Sequence, residues 1–93
     1  MTTLEKAIKT YGKDMQLAVA VEELSELIKE ICKNKRGSDN RNNIIEEMAD
    51  CYIMIEQIRL IFGISHAEIS TRYNEKIERL ENRLAERSEN GKS

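Results

Sequence analysis

Apolar residues recur every three or four positions from Leu4 to Leu84, and no proline interrupts them. That spacing is the period of a helix, and a chain without proline lets helices run long. Gly12, Gly37 and Gly63 fall where the pattern breaks. The reading is four helices. Residues 3–11 form a short one, with Thr3 as a candidate cap and Leu4, Ala7, Ile8 and Tyr11 on its apolar side. A second runs over residues 14–34, with Leu17, Val21, Leu24, Ile28 and Ile31 as a stripe facing the core. Residues 35–43 (KRGSDNRNN) are turn and cap formers and read as a loop. A third helix follows over 43–62, capped by Asn42 or Asn43. Ser65 and Glu68 have capping-box spacing and open a fourth over 66–87, whose stripe is Ile69, Tyr73, Ile77, Leu80 and Leu84. His66, with no second histidine or nearby cysteine, reads as a surface residue. The expected fold class is all-α: a four-helix bundle-like protomer with a short first helix, two long antiparallel helices and a long C-terminal helix. Residues 1–87 read as a single helical domain and 88–93 as a disordered tail.

Ninety-three residues support one domain with a thin core. From Cys51 to Phe62 the third helix is apolar almost all round, more than so short a chain can bury alone. Self-association into a dimer or a dimer of dimers is therefore expected, with helix three in the interface. The net charge of −2 and the absence of tryptophan argue against a nucleic-acid partner. No apolar run reaches the ~18 residues of a membrane span, and no secretion signal is evident, so the expected location is cytoplasmic. Cys32 and Cys51 lack metal or redox spacing and read as reduced, buried thiols.

Chemistry is concentrated in acids. Glu23-x-x-Glu26 and Glu47-x-x-Asp50 each place two carboxylates on neighbouring turns of one helix face, where they repel. A short loop makes the two helices antiparallel neighbours, so all four groups can converge at similar height. Oxygen-only ligation suits a hard divalent ion such as Mg²⁺, with Mn²⁺ as a substitute. Helical phase puts Glu22 on the opposite flank from Glu23. On the fourth helix, Arg72, Lys76, Arg79 and Arg83 form a basic band suited to phosphates. The competing reading of acids and bases alike is a solvated face, the basic band pairing with Glu68, Glu75 and Glu86. With one histidine in the chain, any catalysis must come from carboxylates, metal and cations.

Glu22-Glu23-x-x-Glu26 followed, after twenty residues, by Glu47-x-x-Asp50 resembles the signature of the MazG-like all-alpha nucleoside triphosphate pyrophosphohydrolases. Gln16-Leu17 ahead of the first motif, Glu46-Glu47-Met48-Ala49-Asp50, and Asn74-x-Lys76-x-x-Arg79 are also similar, so the likeness spans roughly residues 11–84. The resemblance implies Mg²⁺-dependent hydrolysis of a (d)NTP to the monophosphate and pyrophosphate. It implies Glu23, Glu26, Glu47 and Asp50 as metal ligands and Glu22 in a less direct catalytic role. It also implies Lys76 and Arg79 on phosphates and Gln16 near the nucleotide; Arg72, from the same basic band, is a further substrate-binding candidate. Dimers or dimers of dimers are implied too. The absence of tryptophan departs from a large base-stacking pocket. The alternative is a non-enzymatic helical binding or regulatory protein, which needs its acids only for solubility.

Overall fold

The computed structural model describes residues 1–90, and these fold into four helices: α1 (Thr3–Tyr11), α2 (Lys13–Lys35), α3 (Arg41–Ile61) and α4 (His66–Asn90). No strand occurs among the described residues. The chain divides into two compact units, Met1–Gly63 and the segment from Ile64 onward. The first holds α1, α2 and α3; the second holds α4. No helix among the described residues is long and apolar enough to cross a membrane.

Local hydrogen bonding sets the helix ends, and it moves several of the expected caps. Thr2, not Thr3, caps α1: its Oγ1 accepts from the Glu5 amide at 3.2 Å while Glu5 reaches back to the Thr2 amide. α2 ends in a paired-bond cap. Ser38 N–H donates to Lys33 O and Gly37 N–H to Asn34 O, with Gly37 at φ +100, where a side chain would be strained. α3 starts two residues before the expected point, with Asn40 at the cap position. The Asn40 side chain does not cap α3. Its Nδ2 donates to the Glu30 carbonyl at 2.8 Å and to Glu30 Oε1 at 3.1 Å, tying the loop back onto α2. The Ser65–Glu68 box is present at α4, with bonds of 2.7 and 3.1 Å, and His66 is exposed as expected. α4 continues to Asn90, beyond the expected end at 87, because residues 88–90 contain no breaker. Residues 91–93 of the expected tail lie outside the described residues.

In the first unit α2 packs along α3, and α1 touches both. Contacts between the start of α2 and the end of α3, and between the loop and the end of α2, make the pair antiparallel. The face of α2 that meets α3 is not the expected stripe. Gln16, Ala20 and Glu30 are buried and Glu23 and Leu27 half-buried, whereas Val21 is 69% and Ile28 62% exposed. The seam follows the flank where side chains are small or can pair, and the large aliphatics are left outside. On α3, Cys51, Met54 and Gln57 are buried, while Ile45, Met48, Tyr52 and Ile55 are exposed. Viewed along antiparallel helices, these exposed α3 residues and the α2 stripe project from the same side of the hairpin. Among the described residues, the buried apolar side chains are Ala20, Cys51 and Met54. The α4 stripe, expected to be core, is also exposed, with Tyr73 at 63% and Leu84 at 59%. Of the two thiols expected to be buried, Cys51 is, but Cys32 is exposed because it lies off the seam.

Candidate metal centre

Glu23 sits midway along α2, on the flank that meets α3. Glu47 and Asp50 rise from one face of α3 opposite it. One oxygen from each of the three carboxylates lies within 4.8 Å of the others. Like charges at this separation repel, and partial burial strengthens the repulsion. Burial first, then the facing Asp50, then Glu47 and Glu22, raise the Glu23 carboxyl above the ordinary carboxylate range. Glu47 is pushed up in the same way, by burial and then by Asp50, Glu26, Glu30 and Glu46. One of its oxygens, Oε2, is buried and has no hydrogen-bond partner. A buried, unpaired acceptor is costly, and buried polar groups are nearly always paired. The same acids, after burial itself, hold the Cys51 thiol up, and its Sγ–H donates to the Glu23 carbonyl at 3.5 Å.

The other expected site residues are placed differently. Glu26 is half-buried next to the cluster and its charge reaches Glu47, but its carboxylate is engaged by Lys29 at 3.5 Å. Glu22 is exposed, its charge felt at Glu23. Gln16 is buried at 7% exposure, and its Nε2 donates to Gln57 Oε1 at 2.7 Å, so it serves the seam between α2 and α3. Arg72, Lys76 and Arg79 are exposed on one band of α4 in the second unit, and Arg72 pairs with Glu75 at 3.3 Å. The groove beside Arg72 and Lys76 is lined by Ile64, Ile69 and Tyr73 and is open to solvent.

Sequence reasoning missed Glu30 and Asn40 as partners. Glu30 is buried, and Asn40 and then Lys33 hold its carboxyl below the usual range, with Asn43 adding a further hydrogen bond. Its position seven residues after Glu23 was the available signal: one heptad on, it points at the same neighbour.

These shifts have opposite consequences for stability. Glu23 and Glu47 bind protons more tightly folded than unfolded, so stability rises as pH falls through their raised values and levels off at the ordinary one. Glu30 is the reverse: its contribution is present above the ordinary value and is lost as pH falls through its lowered one. The melting temperature of the metal-free protein should therefore climb as pH drops from 7, then turn down in the acid range. Circular dichroism melts at half-unit pH steps read this; a monotonic fall from pH 7 would rule out self-repulsion in the cluster.

Compared with protein-family models, curated proteins and solved structures, the chain matches none of them. Three carboxylates from two helices, with one buried oxygen unpartnered, fit a hard divalent cation in ligand type and charge. Among the described residues, no histidine or cysteine ligand atom completes this group of three, which disfavours zinc.

Proposed function

We propose that this chain is a divalent-metal-dependent nucleoside triphosphate pyrophosphohydrolase of the MazG-like kind, releasing pyrophosphate and a (d)NMP. The observation that carries the reading is the Glu23–Glu47–Asp50 cluster with its orphaned Glu47 Oε2. A folded protein keeps three mutually repelling, half-dehydrated carboxylates together at a cost, and a cation removes it. Mg²⁺, or Mn²⁺ in its place, supplies the Lewis acidity that activates water against a phosphoanhydride. Glu23, Glu47 and Asp50 are the proposed ligands. Glu26 is the proposed fourth, since an exposed i,i+3 pair such as Glu26–Lys29 is worth little and yields easily. Glu22, at the solvent edge, is proposed to orient water. Arg72, Lys76 and Arg79 are proposed to contact phosphates. Gln16, tied to Gln57, supports the site from within the seam and is no longer the first choice for touching the nucleotide. The exposed aliphatic face of the hairpin supports assembly as a dimer or dimer of dimers. A nucleotide substrate and unpaired thiols fit a cytoplasmic setting.

A second reading, a non-enzymatic helical binding protein, draws on the same exposed aliphatic face. Metal separates the two. At a hundred times its dissociation constant, Mg²⁺ or Mn²⁺ should stabilise the native state by about 2.7 kcal/mol, roughly a 10–20 °C rise in Tm for a chain of this size. A panel of NTPs and dNTPs with pyrophosphate readout should then find a turned-over member. Absence of any shift at millimolar metal, with and without nucleotide, would favour the binding protein.

A further inference from the structure

The seam between α2 and α3 carries polar pairs at a constant interval. Steps of seven residues run forward along α2 through Gln16, Glu23 and Glu30, and backward along α3 through Gln57, Asp50 and Asn43. Two of these levels meet directly: Gln16 donates to Gln57 at 2.7 Å and Glu23 faces Asp50 within 4.8 Å, while Glu30 is tied to Asn40 of the loop. The Gln16–Gln57 and Asn40–Glu30 pairs attract, whereas the charges of Glu23 and Asp50 oppose each other. Between the rungs lie Ala20, Leu27, Cys51 and Met54, of which Leu27 is the one bulky branched side chain and Met54 is flexible.

The two ends of the hairpin are secured differently. Near the loop, the covalent connection and the Asn40–Glu30 bonds hold the helices. At the open end, the buried Gln16–Gln57 pair provides the directional contact, with Gln57 Nε2 also turned to Met54 Sδ at 3.9 Å. Gln57 is 4% exposed, so neither amide has water as a ready substitute. A buried polar pair adds little net stability but penalises every alignment that separates its members. We propose that Gln16 and Gln57 are positioning residues for the acidic centre: their pair fixes the register of α2 against α3, and thereby the spacing of Glu23, Glu47 and Asp50. The effect on metal rests on the metal-site reading above; the effect on register does not.

The test is made on the full chain in a Cys32→Ser background, which leaves buried Cys51 as the single thiol. Its Sγ contacts the Glu23 carbonyl across the seam, so its protection reports the native alignment. Gln16→Leu/Gln57→Leu removes the pair, and Gln16→Met/Gln57→Met does so with closer volume. Both should keep the helical spectrum and an equal or higher Tm, because removing both partners strands neither. Cys51 labelling by an aromatic disulfide, measured without metal, should accelerate about ten-fold or more. Mn²⁺ affinity, measured by electron paramagnetic resonance, should fall by about 10–100-fold, the range seen when groups supporting metal ligands are lost. Gln16→Glu/Gln57→Lys, which restores a polar rung, should return both readouts towards the parent. Unchanged Cys51 protection and Mn²⁺ affinity in the apolar variants would overturn the proposal. Loss of fold in both would overturn it too, since the pair would then be holding the hairpin together. If the parent binds no Mn²⁺, the metal reading fails, and Cys51 labelling alone still decides the register claim.

Discussion

Glu47→Gln is expected to lower pyrophosphate release by about a hundred-fold or more while raising the melting temperature of the metal-free protein. The two effects have one cause. Glu47 brings a buried oxygen with no partner into a cluster where Asp50, Glu26, Glu30 and Glu46 all disfavour its charge. An amide removes that charge and offers two N–H donors to the neighbouring carboxylates. The metal-free fold gains, and the cation site loses a formal charge and a ligand, which costs more than the 10–100-fold typical of supporting groups. Asp50→Asn should behave alike. Melting curves with and without 5 mM Mg²⁺, read beside pyrophosphate release, check both halves. A variant that melts lower without metal would make Glu47 a structural acid, and one that still turns over nucleotide would remove it from the centre.

The sequence made the helices legible because local rules decide them. Glycines mark the breaks, proline is absent, and the Ser65–Glu68 box needs only three-residue spacing. The acid pairs were legible for a similar reason: i,i+3 repulsion is visible in a string of letters. Which flank of α2 meets α3 was not. Periodicity points to the largest aliphatics, and Val21, Leu24, Ile28 and Ile31 lie outside the seam. A seam of Gln16, Ala20, Glu23, Leu27 and Glu30 becomes favourable only once Gln57 on α3 and Asn40 in the loop are in place to pair with Gln16 and Glu30, and such pairing is a property of register. Hence Glu26, one step round from Glu23, falls beside the cluster instead of within it. Asn40 was hidden for the same reason: an asparagine before a helix looks like its cap until Glu30 is seen within reach.

If the protein self-associates through its exposed aliphatic face as proposed, Ile28→Asp and Ile55→Asp should each shift it to monomer. Ile28 is 62% and Ile55 51% exposed, on one side of the hairpin, among Val21, Leu24, Ile31, Ile45, Met48 and Tyr52. So many large apolar side chains exposed on one side of the hairpin are unusual for a monomer in water. The first unit also buries few apolar side chains of its own, so association is where its missing core would come from. A second copy of the hairpin is the simplest complement, since a two-fold axis sets the same face against itself and every aliphatic residue finds aliphatic neighbours. In that geometry one substitution buries two unpaired carboxylates, each costing several kcal/mol, so the dimer should weaken by about a thousand-fold or more. Ile58, half-buried towards the inside of the unit, is the control that should destabilise the protomer instead. Sedimentation velocity across a hundred-fold range of concentration separates these cases. The parent Tm should rise with concentration, while the Asp variants should melt lower and independently of it. An unchanged sedimentation profile in both Asp variants would assign the aliphatic face to an occupant other than a second copy.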